Sequence, residues 1–137
     1  MAKEGPSYMS IKIKSITFDC TDPYLLAKFW SQVTGFGEDP EDRNYPDDPA
    51  GLLLAPDGSA SLLFVRVPGA KQFKNRVHLD LQPQDATPGS REAEVDRIMS
   101  LGATLVDDQR KPDGSGWAVL ADPEGNEFCV ERMAPGA

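Results

Sequence analysis

The chain repeats one order of elements, and that repetition limits its fold more than any single motif does. Residues 11 to 19, IKIKSITFD, alternate apolar and polar side chains with the period of a half-buried strand. Asp22-Pro23 then supplies a helix start, a capping oxygen followed by a proline whose missing N–H costs nothing in the first turn. Leu25, Leu26, Phe29, Trp30 and Val33 fall on one helical stripe, and Gly35 stands where a left-handed cap ends a helix. After the Pro- and Asp-rich run GEDPEDRNYPDDPAG come two strand-like runs, GLLLA and SLLFVRV, joined by the turn PDGS. The same order then restarts. RVHLDLQ reads as a strand, and SREAEVDRIMSLG as a helix with Val95, Ile98, Met99 and Leu101 on one side and Gly102 as its stop. ATLVD, WAVLA and NEFCVER read as strands, separated by RKPDGSG and DPEG.

Four landmarks test the repeat. His78 follows Ser15 by 63 residues, and Asp85 follows Asp22 by the same 63. Gly102 follows Gly35 by 67, and Gly125 follows Gly58 by 67. One insertion of about four residues near TPGS accounts for both offsets. The economical reading is an internally duplicated βαβββ unit, with modules over about 11–67 and 76–132 in one α+β domain. Two unrelated stretches of the same element order are the alternative. Residues 1–10 are expected to form a disordered arm and 133–137 a short tail.

Composition narrows the class. A chain of 137 residues with 39% apolar content builds a core without a disulfide or structural metal. Its formal charge of −8 argues against phosphate-backbone binding, which needs clustered Lys and Arg. No apolar run approaches the roughly 18 residues of a membrane span. MAKEGPSYMS lacks the apolar centre of an export signal, so a cytoplasmic location with Cys20 and Cys129 reduced is expected.

ITFDCTDPYLLAKFWSQVTGF, VHLDL, LGATLV and ADPEGNEFCVE together resemble the glyoxalase, bleomycin-resistance and extradiol-dioxygenase superfamily, the vicinal oxygen chelate proteins. The likeness spans about residues 11–132. Its most specific piece is the D-P-x-G-N turn feeding the last strand; the F-W pair before T-G-F is typical of the small glyoxalase-like branch. The resemblance implies two tandem βαβββ modules forming a cupped mixed sheet, with the helices on the outer face and the cleft often completed in a homodimer.

Strand alternation sorts the faces. Ile16 and Phe18 oppose Ser15, Thr17 and Asp19; Val77, Leu79 and Leu81 oppose His78, Asp80 and Gln82; Phe128 and Val130 oppose Glu127, Cys129 and Glu131. Alternation alone allows the polar faces to be simply wet. The resemblance turns them into a cleft instead. The offset of 67 equates Leu62 with Cys129 and Phe64 with Glu131, which puts Leu62, Phe64 and Arg66 on the cleft wall. The expected ligand-binding set is therefore Thr17, Asp19, Phe64, Arg66, His78, Asp80, Trp117, Cys129 and Glu131. Trp117 opens its strand, and whether it faces core or cleft is left open. The acidic loop around 38–49 reads as solvated, with a lid over the cleft as the alternative.

His78 is the only histidine. The superfamily's metal-dependent members would place ligands at Ser15, Leu62, His78 and Cys129. Only two of these carry a donor, so the expectation is a cleft without metal or other cofactor. His78, Asp80 and Cys129 are the catalytic candidates, His78 as acid or base, with a Cys–His pair as a further option. Asp19, Asp80, Glu127 and Glu131 face one candidate cation, Arg66, a balance suited to a basic or hydrogen-bond-donating compound. The functional expectation is binding or sequestration of a small, basic or aromatic molecule in the manner of the bleomycin-resistance proteins. The alternative is a lyase, isomerase or dioxygenase that uses His78 as base or in an altered metal site. Neither a nucleic acid nor a membrane is expected as partner.

Overall fold

Asp22 and Gly35 bound the first helix as the sequence predicts. In a computed structural model that describes residues 10–133, α1 runs Pro23–Thr34. The Asp22 carboxylate accepts the Leu25 N–H at 3.1 Å, and Gly35 adopts a left-handed φ of 82°. The proposed N-terminal arm, save Ser10, and the tail, save Met133, lie outside the described residues.

Nine elements follow the duplicated order, with one strand short. Module one holds β1 (Ser15–Cys20), α1, β2 (Ala50–Leu53) and β3 (Ser61–Arg66). Module two holds β4 (Asp80–Leu81), α2 (Ser90–Ser100), β5 (Thr104–Asp108), β6 (Trp117–Ala121) and β7 (Glu127–Glu131). The first sheet runs β1-β3-β2 and the second β4-β7-β6-β5. In each, the first strand pairs parallel with the last, as a βαβββ unit requires. Module one has no counterpart of β5. Residues 37–42 make only the isolated bridges Gly37–Leu54 and Asp39–Asp42, because prolines and acids interrupt any ladder there. The fold is α+β, two modules side by side.

Three expectations about extent need correction. The first strand starts at Ser15 rather than residue 11, and Ile11 and Ile13 are exposed. The strand expected over 76–82 shrinks to Asp80–Leu81. Ahead of it the chain is tied to β7 by a side chain: Asn75 donates its N–H to the Glu127 carboxylate and its amide to the Glu127 carbonyl. Leu25 and Met99, placed on the apolar stripes, are instead 57% and 37% exposed, while Arg91 is buried. The Arg91 guanidinium donates to the carbonyls of Gly114, Ser115 and Gly116, which pins the β5–β6 turn to the first turn of α2.

One core serves both modules. Leu26, Phe29 and Trp30 of α1 join Leu53, Leu62 and Phe64 of the first sheet, Val95 and Ile98 of α2, and Leu120, Phe128 and Val130 of the second sheet. Trp30 stacks edge-on against Phe128 at 4.9 Å, so the first module's helix rests on the second module's last strand. Gly51 permits the close approach of β2 to α1: a Cβ there would meet the Pro23 carbonyl at 3.2 Å and the Ala27 Cβ at 3.3 Å.

The pairing also corrects the repeat by one residue. Thr17 pairs with Leu63, and its equivalent Asp80 pairs with Cys129. Cys129 therefore corresponds to Leu63, an offset of 66, not to Leu62. Three steps separate Gly58 from Ser61 but only two separate Gly125 from Glu127, and that extra residue reverses every side chain of β3. Leu62 and Phe64 point into the core, and Phe64 is fully buried with its ring 5.1 Å from Phe18. Phe64 is not a cleft residue.

Candidate functional site

The β4–β7 ladder sets Asp80 directly opposite Cys129, and the Cys129 N–H donates to the Leu79 carbonyl at 2.9 Å. Two residues before Asp80 and on the same face, His78 brings its Nε2 to 3.2 Å from Asp80 Oδ1. Antiparallel β6 adds the opposite wall, with Val119 beside Cys129 and Trp117 beside Glu131. Trp117 is 42% exposed while its neighbour Ala118 is buried, which fixes its facing toward the open side. These residues, with Lys74, Glu127 and Phe128, enclose a hollow of about 350 Å³.

A second hollow, about 520 Å³, lies between β1 and the connection that joins the modules. Thr17 and Asp19 border it, along with Lys71, Phe73, Lys74 and Arg76. His78, Lys74, Glu127 and Phe128 border both hollows, so His78 stands at their junction.

The expected set thus divides. His78, Asp80, Trp117, Cys129 and Glu131 converge on one hollow, and Thr17 and Asp19 line the adjoining one. Phe64 lies in the core. Arg66 shares its strand parity and sits at the far end of β3, where it donates to the Thr21 and Asp47 carbonyls. Neither hollow is bordered by any of residues 38–49. That loop closes on β2 instead, where the Asn44 side chain pairs with both backbone groups of Leu52, so it is not a lid.

The cations come from a segment that sequence alone left unassigned, AKQFKN between the modules. Lys71 pairs with Glu127 at 3.1 Å, and Lys74 lines both hollows. Its lysines, flanking an aromatic beside the repeat boundary, were the available signal. Burial works against ionisation of Glu127, but the Asn75 N–H and the Lys71 ammonium outweigh it and hold the carboxyl below its ordinary range. With Glu127 neutralised, Asp80 and Glu131 are the acids left in the smaller hollow, against Lys74.

Burial pushes the Cys129 thiol up to about 11, and the Asp80 carboxylate beside it adds to the shift by charge and by accepting its hydrogen bond. A thiol so held is protonated at neutral pH, which disfavours Cys129 as a resting thiolate nucleophile. His78 and Asp80 stand as a close pair, Nε2 to Oδ1 at 3.2 Å, with 41% and 55% of their side-chain surfaces exposed.

The positions that the resemblance assigns to metal ligands are not filled as a set. Ser15 and, with the corrected register, Leu63 offer module one no usable ligand pair. A different trio does fit an ion: His78, Asp80 and Cys129 present donor atoms within 4.8 Å of one another.

Among known proteins, the model of the glyoxalase-like domain matches residues 15–131. A glyoxalase/bleomycin resistance protein/dioxygenase family enzyme from Burkholderia phytofirmans PsJN superposes with a TM-score of 0.67 at 20% identity, covering 90% of this chain and 100% of that one. A possible glyoxalase from Bacillus cereus gives 0.65 at 13% identity, over 89% and 99% of the two chains. FosX, a fosfomycin resistance protein from Listeria monocytogenes solved with Mn(II) and 1S,2S-dihydroxypropylphosphonic acid, gives 0.64 at 15%, over 90% and 92%. No curated protein matches the sequence. The repeated element order, one strand short in module one, the paired first and last strands of each module and the span of the family match lead to one conclusion: the chain belongs to the glyoxalase-like domain family, within the vicinal oxygen chelate superfamily.

Proposed function

We propose that the protein binds a small aromatic molecule bearing basic or hydrogen-bond-donating groups in the hollow of its second module. The observation that carries this reading is the convergence of His78, Asp80 and Glu131 on a wall made by Trp117 and Val119. A mostly apolar concavity with a few convergent polar groups is what recognition of a small molecule requires. The Trp117 indole offers a stacking face, and the Asp80 and Glu131 carboxylates accept hydrogen bonds from, or neutralise, a basic substituent. A neighbour of the same fold, FosX, holds a small phosphonate, which supports the fold as a container for small molecules.

A second reading is favoured by one contact. With the Asp80 carboxylate 3.2 Å from its Nε2, the exposed His78 ring is placed to take or give a proton, as in a general-base enzyme. An ion held by His78, Asp80 and Cys129 would supply Lewis-acid polarisation of a bound oxygen.

A melting-temperature screen of chelator-treated protein against basic and neutral heteroaromatic compounds tests the binding reading. Compounds that stabilise the chain are expected to lose that effect in Trp117→Ala and His78→Ala. Stabilisation by compounds that both variants still bind unchanged refutes the assignment of the hollow. Turnover of a stabilising compound, abolished in His78→Asn while binding persists, establishes the enzyme instead.

A further inference from the structure

We propose that His78, Asp80 and Cys129 form a mononuclear site for a borderline-soft divalent transition metal, Zn²⁺ above all, built within the second module alone. The proposal rests on the same hollow as the binding reading but not on any organic ligand occupying it.

The three side chains supply one nitrogen, one oxygen and one sulfur donor, all within 4.8 Å of one another. The His78 Nε2 to Asp80 Oδ1 edge is 3.2 Å. Two light atoms sharing a tetrahedral zinc at roughly 2.0–2.1 Å stand about 3.3 Å apart, so that edge already has the size the ion needs. The backbone fixes the trio. Asp80 and Cys129 are ladder partners, and His78, in the chain just ahead of β4, brings its Nε2 to 3.2 Å from Asp80 Oδ1. Cys129 forms the buried floor, while His78 and Asp80 are half open to the hollow. Three protein donors with an open side is the arrangement of a zinc site that retains a fourth position for water or a ligand oxygen.

This set differs from the one the superfamily resemblance implied, which drew on both modules. The first module contributes Ser15 and Leu63 at those places, and the third donor comes from Asp80, two residues along β4 from the usual histidine position. The expectation of a metal-free cleft counted donors at the four family positions alone; the β4–β7 register adds Asp80, opposite Cys129, as a third. A thiolate donor sets the selectivity: it favours Zn²⁺ and Co²⁺ over Mg²⁺ and Mn²⁺, which prefer oxygen. Loading exchanges the Cys129 thiol proton for the ion and releases it to solvent, with no change of oxidation state.

The test is a Co²⁺ titration of chelator-stripped protein without any organic compound. Near-ultraviolet thiolate-to-cobalt absorption and visible d–d bands are expected, both abolished by added Zn²⁺ and insensitive to Mg²⁺ or Mn²⁺. The chain has two cysteines, so Cys20→Ala keeps the charge-transfer band and Cys129→Ser removes it. His78→Ala and Asp80→Asn, which touch exposed side chains and leave the fold intact, weaken Co²⁺ binding by about tenfold or more. Absence of the charge-transfer band in wild-type protein, its survival in Cys129→Ser, or equal competition by Mn²⁺ overturns the site. Compounds that stabilise the chelator-treated chain would still support the binding reading, so the two proposals fail separately.

Discussion

Trp30 donates its indole N–H to the Asp122 carboxylate at 3.0 Å, across 92 positions of sequence. Donor and acceptor belong to different modules, and both are buried. Asp122 is fully occupied: its other oxygen accepts the Glu124 and Asn126 N–H groups at 2.9 Å each, and the Asn126 amide reaches both oxygens. The D-P-x-G-N turn therefore does two things at once. It shapes the entry to β7, and it ties that entry to α1, where Glu124 also accepts the Thr21 and Asp22 N–H groups.

Asp122→Ala should accordingly destabilise the chain by about 3–5 kcal/mol, because several buried donors lose their acceptor together. Trp30→Phe should cost less, and the double variant less than the sum of the two. Chemical denaturation of the three variants measures this. Strict additivity would show that the pair is not coupled.

Phe64 offers a test of the corrected strand parity. Phe64→Ala opens a core cavity and is expected to cost about 3–5 kcal/mol, whereas Leu63→Ala, on the half-buried opposite face, costs less. Unfolding midpoints of the two variants decide between them. A Phe64→Ala chain of undiminished stability would return that ring to the cleft side.

Glu127 sets an acid limit. Its folded-state carboxyl lies below the ordinary range while the unfolded one does not, so its stabilisation is complete above about pH 4.3 and is lost as pH falls through the folded value. Wild-type protein should therefore melt above Glu127→Gln at pH 6–7, with the gap closing as pH falls below the ordinary glutamate range. Melting curves of both proteins across that range are the check. A gap that stays constant with pH would mean the Lys71–Glu127 pair contributes nothing through its charge.

The sequence carried the duplicated order, the caps of α1 and the polar face of module two, because each depends on local period or local backbone chemistry. Asp22, Gly35, Asp80, Cys129 and Glu131 stand where those rules put them, whereas His78 lies ahead of the shortened β4 and meets Asp80 from there. Phe64 and Arg66 were misplaced for a physical reason: a single extra residue between Gly58 and β3 reverses strand parity, and glycine landmarks in a turn do not register it. The placement of Lys71, Lys74 and Asn75 does not follow from strand or helix period, because a connection between modules has none; only the composition of AKQFKN points to it. Its position follows from the contacts of Lys71 and Asn75 with Glu127, across more than fifty residues. Trp117 could be assigned only once the β6–β7 register paired it with Glu131.

The most direct measurement uses the contrast between the two tryptophans, since Trp30 is buried and Trp117 is open to the hollow. Acrylamide quenching of the native chain reports on Trp117. A compound that raises the melting temperature should shield that fluorescence, in proportion to its occupancy, and His78→Ala should weaken both effects together. A compound that stabilises the protein at saturation yet leaves the quenching of Trp117 unchanged would contradict the assignment of the binding site.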